Sequence, residues 1–241
     1  GPVMDELPKE SAPHLQRAAR HDVVERRHAL EQRHVLEGPG DPLPRYAMRL
    51  QVVDLSTGHV VGVPFDLQQD PTSERVANDL AISPDGTRLF VPLLHTAPHQ
   101  NVIRVIDLAK LEQQLSSGVP VPGVMQKKSV AADNSQERSP VSVAVSPDGR
   151  LLYMVTDLDL DTEVRRVDTN TLTLIGSPIP VGQEANSIAI TPDGAQAVVT
   201  NRADGTISII NTQNGAVTTV PVAAGPIDAG ISPDGTKAYV L

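Results

Sequence analysis

One phrase returns four times along this chain and limits what it can fold into: AISPDGTRLFVP at 81–92, AVSPDGRLLYMVT at 144–156, AITPDGAQAVVTN at 189–201 and GISPDGTKAYVL at 230–241. In each copy a short apolar run meets Pro-Asp-Gly and is followed by a second apolar run, the pattern of two strands joined by a tight turn. Proline presets one turn torsion, glycine accepts a backbone conformation other residues avoid, and aspartate closes the turn by bonding nearby N–H groups. Asp85, Asp148, Asp193 and Asp234 are therefore read as turn residues. Catalysis needs unlike groups converging at one place, whereas a group recurring in every unit is expected of a scaffold.

A second pattern alternates with the first: RLQVVDLSTGHVVG at 49–62, VIRVIDLAK at 102–110, EVRRVDTNTLTLI at 163–175 and TISIINTQNGAVTTV at 206–220. Asp54, Asp107, Asp168 and Asn211 fall at corresponding turn positions, where short polar side chains cap the backbone. Joining the two halves gives a four-strand unit. Such a sheet cannot bury both faces alone, whereas radial stacking of several buries the faces between them. The expected class is all-β, a β-propeller.

The prolines of the phrase, Pro84, Pro147, Pro192 and Pro233, are separated by 63, 45 and 41 residues. The first interval holds an insertion, placed at 111–139 and read as a surface loop that opens with a short helical segment. The chain enters its β region with a second half-unit at 49–66 and leaves it with a first half-unit at 226–241. Pairing these halves would complete a fourth blade and leave no free sheet edge. The sequence thus predicts a β-propeller or partial propeller over 46–241: a compact ring of four blades with terminal-strand closure, an incomplete fragment of a larger ring, or a partial ring completed by another chain.

Residues 1–45 read differently, as a helical extension and linker. The stretch 14–36 is rich in helix formers and lacks Gly and Pro, Ser11 is placed to cap it, and GPG at 38–40 stops it. His14, His21 and His28 recur every seven residues. Successive members would stand about 10 Å apart on one helix, too far to share a metal ion, so they read as surface or interface residues.

The phrases, together with Gly-Thr-Ile-Ser-Ile-Ile-Asn-Thr at 205–212, resemble YVTN-type β-propeller repeats, clearly over 76–241 and partly over 49–66. Familiar relatives commonly have seven blades and include proteins resembling surface-layer components and lactonase-like enzymes. The resemblance implies the repeat class and favours a secreted, extracytoplasmic setting. This chain departs from those relatives in carrying repeat sequence for only about four blades.

Net charge of −9 disfavours non-specific attraction to nucleic acid or anionic membrane, and Lys127-Lys128 is too isolated a basic pair to mark a nucleic-acid groove. The chain holds no 18-residue apolar run, and hence no transmembrane candidate. Zero cysteines remove disulfides, cysteine nucleophiles and thiolate metal sites, and leave the compartment open. Gly1-Pro2 reads as a remnant of tag removal, which leaves a native signal peptide undetermined.

The sharpest local irregularity is acidic. Asp157, Asp159, Asp161 and Glu163 gather hard oxygen ligands suited to Ca²⁺ within one short segment. However, Thr162 stands where an EF-hand loop has glycine, and in an extended strand the three aspartates would stand about 6 to 7 Å apart, so one ion needs a bend. His95 and His99, with Asn201 in the corresponding loop of a later unit, are candidates to face a ligand or partner. Asn78, Asn186 and Asp228, with Ser139 and with Arg49, Arg104, Arg165 and Arg166, are placed to line a rim or to bond between blades. Aromatic residues are only 2% of the chain, too few for a stacking platform. The function expected is a non-enzymatic propeller for protein interaction or self-association. The alternative is a lactonase-like hydrolase or isomerase acting at the central opening with a divalent ion.

Overall fold

Each Pro-Asp-Gly phrase folds into the same turn. The glycines Gly86, Gly149, Gly194 and Gly235 have φ of 71, 75, 74 and 72°, the left-handed region. Their N–H groups donate to the carbonyls of Ser83, Ser146, Thr191 and Ser232, each at 2.8 Å. The hydroxyls of those same four residues donate to the turn aspartates and accept from the N–H groups of Arg88, Leu151, Gln196 and Lys237. One hydroxyl thereby locks both arms of each hairpin.

The computed structural model describes residues 49–67, 74–76, 79–95, 101–129, 139–158, 161–223 and 225–241. The expected helix at 14–36, its histidines, the linker, Asn78, His99 and Asp159 lie outside the described residues.

The first sheet is a ribbon of β1 (Arg49–Asp54) and β2 (His59–Asp66). The next is a blade in which β5 (Arg88–His95) pairs with both β3 (Glu74–Val76) and β4 (Ala81–Ile82), then with β6 (Asn101–Asp107), which pairs with β7 (Met125–Ser129). A second blade runs β8 (Ser139–Val145), β9 (Leu151–Leu158), β10 (Asp161–Asp168), β11 (Ile179–Pro180). A third runs β12 (Ala185–Ile190), β13 (Gln196–Asn201), β14 (Thr206–Asn211), β15 (Val217–Pro221). The last sheet is a ribbon of β16 (Ala229–Ile231) and β17 (Ala238–Val240). All pairings are antiparallel.

The cores lie between sheets, as radial stacking requires. Leu50 and Leu67 of the first ribbon region pack with Leu89, Val91 and Ile106 of the first blade. Phe90 and Ile103 pack with Val143, Leu152 and Met154 of the second blade. Tyr153, Val155 and Val164 pack with Ile188, Ala197 and Val199 of the third. Val198 and Ile207 pack with Ala229 of the last ribbon.

One expectation needs correction. The insertion at 111–139 is only partly a loop. Helix α1 (Leu108–Ser117) begins at Asp107, whose carboxylate caps the Lys110 N–H, and it buries Leu111 and Leu115 in the first core. Residues 125–129 then supply the blade's fourth strand. Among the described residues β1 pairs with β2 and β17 with β16. Between these two ribbons lie three larger sheets, and each ribbon packs its buried face on the neighbouring one.

Candidate functional surfaces

The polar groups singled out in the sequence are mostly consumed by turns and blade contacts. The Ser83 hydroxyl, aided by the backbone and hydroxyl of Thr87, lowers Asp85 to about 2. Asp148, Asp193 and Asp234 are lowered the same way, each chiefly by the hydroxyl two residues before it. A carboxylate held this far down and already accepting several bonds is a poor general base near neutrality. Asp54, Asp168 and Asn211 accept N–H groups two and three residues onward, as expected of turn caps.

Of the four candidate calcium ligands, Glu163 is buried and bonded to Arg165 Nε, two residues along the same strand. Asp161 is exposed at the start of β10, opposite Leu158, while the backbone ladder places Asp157 opposite Thr162. Asp159 and the Asp157 side chain lie outside the described residues, and among those described no group of three His, Asp or Glu side chains is arranged to hold a metal ion. His95 ends β5 opposite Glu74, its side chain likewise outside the described set. Asn201 is fully buried in the β13–β14 hairpin, where its Nδ2 donates to Thr206 and Ser208 hydroxyls at 2.9 and 3.0 Å. Gly182 backs against it so closely that a Cβ there would stand 2.6 Å from the Asn201 Cγ.

The rim candidates act between blades. Asn186 Nδ2 donates to the Ile227 carbonyl at 2.6 Å, and the Ser187 hydroxyl donates to Asp228 at 2.7 Å. Asp79 and Ser142, which sequence reasoning missed, do the same: Asp79 accepts the Ser142 hydroxyl at 2.6 Å and the Val143 N–H at 3.1 Å. Ser142 in turn accepts the Ile188 N–H of the third blade. The signal was present in the alignment, since Asp79, Ser142, Ser187 and Asp228 all stand four residues before the turn hydroxyl. Arg104 and Arg165 also occupy equivalent register positions, opposite Val91 and Met154, and both are buried.

Among the described residues, exposed apolar side chains stand on the first and last ribbons. Phe90, Tyr153, Val198 and Tyr239 each stand four residues after a turn glycine. Their exposures are 0, 2, 3 and 65%, respectively. The first three each meet the following sheet. Leu241 and Ile227 are exposed beside Tyr239, and Val60 and Val63 are exposed on the first ribbon. A shallow cleft lined by Val63, Phe65, Gln114, Leu115 and Pro120 separates β2 from the end of α1. Among the described residues, no helix is long and apolar enough to cross a membrane.

No family model matches the chain, and no curated protein does. Among solved structures it is similar to the crystal structure of TolB from Acinetobacter baumannii, a β-propeller protein, with a TM-score of 0.54 and 20% identity. The similarity covers 84% of this chain and 44% of that one, so the chain spans less than half of the TolB structure. The fold is therefore β-propeller-like.

Proposed function

We propose that the chain is a protein-interaction propeller of YVTN repeat type. The observation that carries this reading is the exposed apolar face of the first ribbon, where Val60 and Val63 stand in solvent near the shallow cleft lined by Phe65, Leu115 and Pro120. Exposed apolar groups beside a cleft offer a partner apolar burial. The YVTN assignment is supported by the four identical hydroxyl-locked turns and the alternating capped turns. The hydrolase or isomerase alternative draws no support from the described residues.

A photo-crosslinking amino acid at position 63, illuminated in extract of the cells that make the protein, is expected to form a discrete protein adduct. Val60→Asp should abolish the adduct, and the same probe at exposed Ile175 should not give it. Equal labelling at 175 and 63, or no adduct at 63, overturns the reading.

A further inference from the structure

We infer that Asn214 is a site of spontaneous modification, where attack of the Gly215 backbone nitrogen on the side-chain amide releases ammonia and leaves aspartate or isoaspartate. The two residues lie in the turn between β14 and β15 and form the one Asn-Gly pair in the sequence. Glycine brings its nitrogen forward with no side chain to obstruct the approach, whereas Thr212, which follows Asn211, presents a branched Cβ. Gln213, Asn214 and Ala216 are exposed, so water reaches the turn.

The turn prepares the amide. Asn214 Oδ1 accepts the Ala216 N–H at 2.9 Å, which draws electron density from Cγ and supplies a donor for the oxyanion that forms as the nitrogen adds. The Gly215 N–H donates to the Asn211 carbonyl at 2.8 Å, so that bond opens before the nitrogen reacts. Opening costs little at an exposed turn on the outer edge of a blade. The Gly215 nitrogen then bonds to Asn214 Cγ, its proton passes to solvent, and the side-chain nitrogen leaves as ammonia. Water adds to either carbonyl of the resulting succinimide ring: cleavage at Cγ gives aspartate, and cleavage at the main-chain carbonyl gives isoaspartate. One water is consumed for each ammonia released, with no oxidant or reductant.

Sister turns in the same chain separate the amide from the fold. Thr57 and Thr171 stand where Asn214 does, three residues after the cap, and the residues that follow them, Gly58 and Leu172, donate to the cap carbonyl as Gly215 does. The turn therefore forms without an asparagine. The Pro-Asp-Gly turns share the glycine but hold their carboxylates ionised near neutrality, and ring closure there needs the protonated acid. They are also braced. A Cβ on Gly149, Gly194 or Gly235 would stand 3.5, 3.4 or 3.3 Å from the Cδ of Pro84, Pro147 or Pro192, so each turn sits on the proline of the turn before. A Cβ on Gly215 would meet the end of the Ile179 side chain, at 3.6 Å.

Isoaspartate lengthens the main chain inside a turn whose ends are joined by the Asn211 N–H to the Ala216 carbonyl at 2.8 Å. The strand that follows feels this most. Val217, Thr218 and Thr219 of β15 are exposed, so the backbone ladder to β14 is what holds them.

The unsubstituted chain is incubated at mildly alkaline pH in heavy-oxygen water and mapped by peptide mass spectrometry, with isoaspartate read by enzymatic methylation. Label should enter at 214 ahead of Asn170, Asn186, Asn201 and Asn211, and denaturant, which frees Gly215 from the Asn211 carbonyl, should accelerate it. Gly215→Ala should slow the reaction about tenfold. Asn214→Thr should abolish it while leaving the urea midpoint unchanged, as the sister turns imply. In the isoaspartate fraction the β15 amides bonded to β14 should exchange about tenfold faster, with β12 and β13 unaltered. Label entering any of the other asparagines named first, or none at 214 once the denatured chain has reacted fully, overturns the site. Isoaspartate at 214 with unaltered exchange in β15 overturns the effect on the strand and leaves the site standing.

Discussion

The complete blades and the half-blades are built from the same hairpins, locked by the same hydroxyls, yet they differ in what they leave to solvent. In the second blade Tyr153 is sealed against Ile188 and Ala197 of the next sheet, and its ladder continues outward to β11. Tyr239 occupies the same register position and is exposed. Local sequence therefore makes the hairpin, but the neighbouring sheet makes the core.

The comparison breaks most sharply by truncating one side chain on each side of it. Phe90→Ala should destabilise the isolated chain by about 3 to 5 kcal/mol in denaturant unfolding, whereas Tyr239→Ala in dilute solution should stay within about 0.5 kcal/mol of the parent. An equal loss at the two positions would mean that Tyr239 is already covered. Ser142→Ala tests the polar ties between blades. It takes a donor from Asp79 and an acceptor from the Ile188 N–H, so a loss of about 1 to 3 kcal/mol is expected, with accelerated amide exchange at Ile188.

Smaller effects sharpen the picture at the turns. Gly194→Ala and Gly86→Ala both force a side chain into the left-handed region, about 1 to 2 kcal/mol each. Only the first also presses on a neighbouring proline, so it should be the more damaging of the two. The least effect is electrostatic. The folded pKa of Asp85 lies below its usual value of 3.8, at about 2, so its contribution is complete above pH 4 and is lost as pH falls through about 2. The urea midpoint should decline over that window, and Asp85→Asn should flatten part of the decline.

The blade hairpins were legible because their signals are local: proline, glycine and a capping aspartate act within a few residues. Asp107 illustrates the boundary of that legibility. It was read as a turn residue and does cap the backbone, but the turn it caps is the first of α1. The fourth strand at 125–129 was hidden because Met-Gln-Lys-Lys-Ser carries no period-two apolar pattern, and β6 recruits it through backbone bonds. The burial of Asn201 was not legible for another reason: it stands at a strand end, and nothing local reveals that Gly182 closes over it. Of the candidate site residues, Glu163 could not be assigned from sequence because its use depends on sharing a strand face with Arg165 in the interior.

The stacking of each turn glycine on the preceding proline has a consequence for how such a chain can change in length. Every turn reads only its predecessor, so the array has a grammar of nearest neighbours rather than a fixed total. A tandem duplication of the 45 residues that separate Pro147 from Pro192 would bring a proline for the next turn and a glycine for the last, and should fold as one more link.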